Sequence, residues 1–174
     1  MNPEETRDRV LLLNGSNERV LDDVIVLAFR KDEIKGGCAL LWNTGFAETI
    51  EASVNDGATV GSGFHVEGCK SGLKKAMNEW GGIGTDLLSS DVLEGIVCVL
   101  WVGAPTAQDD VYFLGPERRK FVFLDPNLRE FVDRGVQLSM AAHLRDDPGV
   151  AAQLMSKALA AKQARLESRS PRTS

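Results

Sequence analysis

The sequence predicts an α+β fold: a mixed or antiparallel sheet with β-hairpins, packed by helices that include two at the C-terminal end. Three observations carry that expectation. Runs rich in β-branched and aromatic residues, bounded by Gly, Pro or charge, cluster mid-chain at Ile96–Val102, Val111–Leu114 and Lys120–Leu124. A second pair of apolar runs, Val24–Phe29 and Cys38–Trp42, lies in the N-terminal half. The final third shifts to helical spacing and a high alanine content.

In chain order, Val10-Leu11-Leu12-Leu13 reads as a strand ahead of the turn signal Asn14-Gly15-Ser16-Asn17. A charged loop with Gly36-Gly37 is expected to turn Val24–Phe29 back into Cys38–Trp42 as a hairpin. Phe46, Ile50 and Val54 repeat at helical spacing, while Ile50, Ala52 and Val54 alternate as a strand would; the helix is favoured, capped by Thr44. Gly57 to Gly72 is glycine-rich and is expected to form bends. Leu73, Met77 and Trp80 then mark a short helix closed by Gly81-Gly82, and Thr85 to Leu93 holds a further helical turn or two. Gly115 to Lys120 turns the second central strand into the third, as a second hairpin.

Asn127 stands as an N-cap with Glu130 three residues on, and Leu128, Phe131 and Val132 open the apolar face of that helix. Asp147 caps the last helix, Pro148 suits its first turn, and Val150, Leu154, Ala158 and Leu159 form its stripe. That stripe docks on its own sheet, or its second half projects and pairs with another subunit. Residues 1–167 are expected to form one globular domain, and residues 168–174 a basic, disordered tail.

Composition narrows the function classes. A chain of 174 residues with formal net charge −5 is neither a general nucleic-acid binder nor attracted to acidic membranes. No apolar stretch approaches the roughly 18 residues a membrane span needs. Cys38, Cys69 and Cys98 are too few and too scattered for a disulfide framework, which with the polar start points to the cytoplasm.

Gly63 to Ser71 has glycines and a lysine, but Cys69 separates Gly68 from Lys70, which breaks the spacing of a phosphate-binding loop. No cofactor is therefore expected. His65-Val66-Glu67, after a hairpin and before a helix, resembles the zinc deaminases, whose histidine binds zinc and whose glutamate shuttles a proton. Those enzymes also need two thiolates in Cys-x-x-Cys, which this chain lacks, so no metal is expected.

Two cysteine sites remain. Cys69, next to Lys70 and close to a helix start, is placed to ionise, with His65 as its base. Gly37-Cys38-Ala39-Leu40, taken with Val111–Gly115 and Phe123-Leu124-Asp125-Pro126-Asn127, resembles the papain-like autophagy cysteine proteases. That resemblance implies Cys38 as nucleophile with Asp125, and Asn127 stands where those proteases carry the base histidine. Cys98, between Val97 and Val99, is expected to be a packing residue.

The expected function is a non-enzymatic interaction, regulatory or structural domain, working through a protein partner or through self-association by the C-terminal helix. The alternative is a small cysteine-dependent hydrolase or transferase using Cys69 with His65, or Cys38 with Asp125. Neither nucleic acid nor membrane is expected as a partner.

Overall fold

A computed structural model describes residues 3–55, 57–59, 63–104 and 126–169. The expected strands Val111–Leu114 and Lys120–Leu124, with their turn, lie outside the described residues. The architecture is α+β: a mixed five-stranded sheet in the order β1-β2-β5-β3-β4, with helices on both faces.

β1 (Ile25–Lys31) and β2 (Ile34–Trp42) form the expected hairpin, with Lys31 opposite Ile34. The turn is Asp32-Glu33, Asp32 taking a positive φ of 54°. Gly36 and Gly37 are therefore strand residues, not the turn. A Cβ at Gly36 would stand 2.6 Å from the Phe29 ring, so glycine there makes room for an aromatic neighbour.

β5 (Ile96–Gly103) sits at the centre, antiparallel to β2 and parallel to β3 (Thr49–Val54). β3 corrects the helix expected over Phe46–Val54. Its longer pairing is with β5, more than 40 residues away, and Ala52 and Val54 face the core in strand alternation while Phe46 is left in solvent. β4 (Gly57–Thr59) closes the far edge.

The strand expected at Val10–Leu13 is also corrected. It belongs to α1 (Pro3–Asn14), whose buried residues Thr6, Val10 and Asn14 recur every four positions. α1 covers the sheet face carrying Ala39, Leu41, Val97 and Val99. Arg9 fastens it to β3 through paired bonds to Glu51, Nε to Oε1 at 3.0 Å and Nη2 to Oε2 at 2.7 Å.

The other face carries Cys38, Leu40, Cys98 and Leu100 and packs on α2 (Phe64–Gly81) and α4 (Pro126–Asp146). α2 begins nine residues before Leu73, so Gly68 and Gly72 are helical. A Cβ on either would stand 2.5 Å from a carbonyl oxygen of α4, Arg129 O for Gly68 and Asp133 O for Gly72. Their missing side chains let two helix backbones approach directly. Asp133 Oδ2 ties the same pair, accepting from Ser71 Oγ at 3.1 Å and Lys75 Nζ at 2.6 Å.

α4 includes Pro126, so Asn127, the expected cap, lies inside the first turn. The apolar face from Leu128 and Val132 is buried as expected. α3 (Ser89–Val92) is the short helix expected between Thr85 and Leu93.

α5 (Pro148–Arg169) starts as expected, with Val150 N donating to Asp147 Oδ1 at 3.0 Å. It packs beside α3 and α4 rather than on the sheet, burying Ala151, Leu154, Met155 and Ala158. Ser168 and Arg169 are still helical; residues 170–174 lie outside the described part.

Candidate functional site

Two places hold chemistry: the core where α2 crosses the central strands, and a groove between β1 and α4. In the first, register puts Cys38 opposite Leu100 and Cys98 opposite Leu40, so the two cysteines are diagonal neighbours on the helix-facing side. Cys69, on the buried face of α2, meets both. All three thiols are fully buried and hydrogen-bond to one another. The bonds Cys69 accepts from Cys38 and then Cys98 hold its pKa well below the ordinary thiol value, against the opposing effect of burial. Cys38 is pushed up by its bond to Cys69 and by burial, and Cys98 by its bonds to both partners and by burial.

His65 stands four residues before Cys69 on the same helix and is buried, which lowers its pKa to about 4 and keeps it neutral near pH 7. The structure thus brings Cys38, Cys69 and Cys98 together. Asp125, the partner suggested for Cys38, lies outside the described residues. Among the described residues no group of His, Cys, Asp or Glu could hold a metal ion.

The groove, about 660 Å³, is not foreseeable from local sequence. Phe29, Ile34, Phe131 and Leu138 give it an apolar lining, and Arg30, Lys31 and Arg134 contribute three cations. Phe29 and Phe131 meet at a centroid distance of 5.3 Å with planes tilted by 59°. A Cβ at Gly135 would stand 2.3 Å from Phe29, so α4 presents backbone there and the ring fills the space. The signal available in the sequence is the glycine at position 135, which weakens a helix for no local reason.

The sequence profile of the family described as DNA gyrase B matches residues 6–174. The chain is 29% identical over 168 residues to a chloroplastic/mitochondrial DNA gyrase B protein of Nicotiana benthamiana, covering 91% of this chain and 22% of that protein. It is 28% identical over 173 residues to the DNA gyrase B protein of Treponema pallidum, covering 94% and 26%. The B component of DNA topoisomerase 4 from Enterococcus faecalis is 28% identical over 169 residues, covering 93% and 24%. The chain therefore spans about a quarter of the length of these relatives.

In fold it resembles the 43K ATPase domain of Thermus thermophilus gyrase B, solved with an aminocoumarin. That likeness has a TM-score of 0.80 and 22% identity, over 94% of this chain and 44% of that one. The gyrase B protein of Myxococcus xanthus gives a TM-score of 0.70 and 24% identity, over 89% and 49%.

These matches overturn three expectations. A non-enzymatic domain working through protein contacts is ruled out by the family, and so is a cysteine-dependent hydrolase or transferase. An incomplete catalytic set says little when the chain covers a quarter of its relatives. The exclusion of nucleic acid falls as well, since the relatives are subunits named for DNA. A net charge of −5 summed over the chain is blind to how that charge is distributed over its surface. No helix among the described residues is long and apolar enough to cross a membrane.

Proposed function

The chain belongs to the DNA gyrase B family, and from that premise we propose that it forms one part of the ATPase region of a DNA topoisomerase subunit. It acts on ATP and DNA as a component of that larger region. The observation that carries this is the match of 94% of the chain to less than half of a 43K ATPase domain, with a TM-score of 0.80.

The geometry supports a relaying rather than a cleft-forming role. α2 and α4 meet backbone to backbone at Gly68 and Gly72, and α5 is clamped to α3, so a displacement at one end moves the body as a unit. Such a body suits the passage of movement between a nucleotide site formed with the rest of the region and the parts that handle DNA. A cytoplasmic location goes with this reading; the plant relatives carry chloroplastic or mitochondrial names.

The test exchanges segments. The matching stretch of the Treponema pallidum protein is replaced by this chain, and folding, ATP turnover and change in plasmid linking number are measured with the rest of that topoisomerase present. The hybrid is expected to hydrolyse ATP and alter DNA topology, and the chain alone to do neither. A folded hybrid without ATP turnover, or turnover by the chain alone, overturns the proposal.

A further inference from the structure

The groove beside β1 borders an open sheet edge. β1 is the first strand in the sheet order, with β2 on one side and no strand among the described residues on the other. Around the Asp32-Glu33 turn, Lys31 and Ile34 form the closing pair, so Phe29 and Leu27 also exchange backbone hydrogen bonds with β2. The N–H and C=O groups of Ala28 and Arg30 then point away from the sheet. The long bond from Ser139 Oγ to Ala28 O, at 3.5 Å, agrees with that direction.

Phe131 and Gly135 both stand at the level of the Phe29–Gly36 pair, and Ser139 reaches Ala28. Lys31 and Asp32 stand at the hairpin end of the groove, and Glu130, Arg134 and Leu138, 55% exposed, line its α4 side. Among the described residues Arg30, Lys31 and Arg134 are in no ion pair. An open strand edge, an apolar lining and unpaired cations describe a seat for one kind of occupant.

We infer that this groove binds an extended, acidic peptide segment of a partner protein, which adds to β1 as an edge strand. Its backbone pairs with Ala28 and Arg30, displacing the long Ser139 bond; its apolar side chains lie on Phe29, Phe131 and Leu138, and its alternate, acidic side chains lie on the opposite face beside Arg30. Asp32 repels further acid at the hairpin turn and so biases which way the segment lies. The inference is independent of the ATPase role, since it uses neither nucleotide nor DNA.

The test titrates the intact protein with a dye-labelled octapeptide alternating valine and glutamate, and with its valine–lysine counterpart, by fluorescence anisotropy. Backbone amide exchange is followed by NMR. The glutamate peptide is expected to saturate and to slow exchange at Ala28 and Arg30, and the lysine peptide to fail. Arg30→Glu with Arg134→Glu should weaken binding by about tenfold or more.

Ala28→Pro removes an outward N–H without touching the pairing to β2, and should abolish binding in a protein whose melting temperature is nearly unchanged. Binding indifferent to peptide charge or to Ala28→Pro overturns the inference, as does no saturation. Slow exchange at Ala28 and Arg30 in the free protein would show the edge already covered by the chain itself, and would overturn it equally. A short DNA duplex that protects those amides in place of the peptide overturns it too.

Discussion

Arg165 of α5 grips Asp91 of α3 with two parallel bonds, Nε to Oδ1 at 2.7 Å and Nη2 to Oδ2 at 2.8 Å. Asp91 is almost completely buried, and Oδ2 also accepts from Leu88 N at 2.8 Å, so one carboxylate caps a helix and anchors another. Burial raises its pKa, but the bonds from Arg165 and Leu88 and the nearby positive charge outweigh burial, and the net shift is downward. Asp91→Ala is expected to cost about 2 kcal/mol in urea unfolding near pH 7. Because the folded pKa is depressed, this stabilisation is present above the ordinary carboxylate range. It fades as pH falls through the lowered value. Parallel unfolding curves for wild type and variant that stay equally far apart down to strongly acid pH would contradict it.

His65 gives a second, separable pH dependence. Burial lowers its pKa from 6.5 to about 4, so the unfolded chain takes up this proton first as pH falls. Stability is unaffected above about pH 6.5 and declines toward pH 4, by about 3 kcal/mol at most. In His65→Leu that acid slope should disappear, whatever the variant's stability at pH 7. The check is the unfolding free energy measured at half-unit steps across the window.

Glycine replacement should discriminate between backbone and side-chain neighbours. In Gly68→Ala the new Cβ meets Arg129 O, and in Gly72→Ala it meets Asp133 O. Neither carbonyl can move without shifting α4, so each is expected to cost about 2–3 kcal/mol. Gly36→Ala meets the far end of the Phe29 ring, Cε2 at 2.6 Å and Cζ at 3.1 Å, which can swing toward the groove, and should cost less than either. Thermal melts of the three variants rank them; Gly36→Ala as the most damaging would be the wrong order.

The cysteine cluster should be chemically silent in the folded state. Cys38, Cys69 and Cys98 are all fully buried, so a thiol reagent reaches them only through opening of the core. Labelling by a disulfide reagent is expected to be slow and to accelerate with denaturant in step with unfolding. Cys98→Ala leaves a small cavity and should cost about 1 kcal/mol. Rapid native-state labelling of Cys69 would mean that the core opens there more easily than its packing implies.

What is legible in the sequence is legible for local reasons. The β1–β2 hairpin, the central strand β5 and the capped start of α5 each carry their signal within a few residues. α1 is hidden because two of its three buried stripe residues, Thr6 and Asn14, are polar, which leaves Val10 to Leu13 looking like a strand. Asn14 is buried because Oδ1 accepts from Asn43 Nδ2 at 3.0 Å, a partner no local pattern announces. β3 looks helical in isolation because its strand character depends on lying beside β5.

The start of α2 is masked by its own glycines, which act against helix locally and for it in packing. The groove follows from the pairing of Phe29 with Gly135, more than a hundred residues apart. Of the suggested site residues, burial of Cys38 and Cys98 is foreseeable from their apolar runs, but that of Cys69, between Gly68 and Lys70, is not, nor is the meeting of the three.

The place of β5 between β2 and β3 carries a consequence for synthesis. While the chain is being made, β2 and β3 emerge long before the strand that separates them, since β3 ends at Val54 and β5 begins at Ile96. At roughly 5–20 residues per second the ribosome needs about 2 to 8 s to deliver the missing strand. Through that interval the nascent chain presents two apolar strands with unsatisfied edges, Cys38 to Trp42 among them. β2 and β3 pairing with each other is the ready wrong answer, and it would shut β5 out. α1, already made, can lie over Ala39 and Leu41 from the outset, which leaves the nascent β2 covered on one face while it waits.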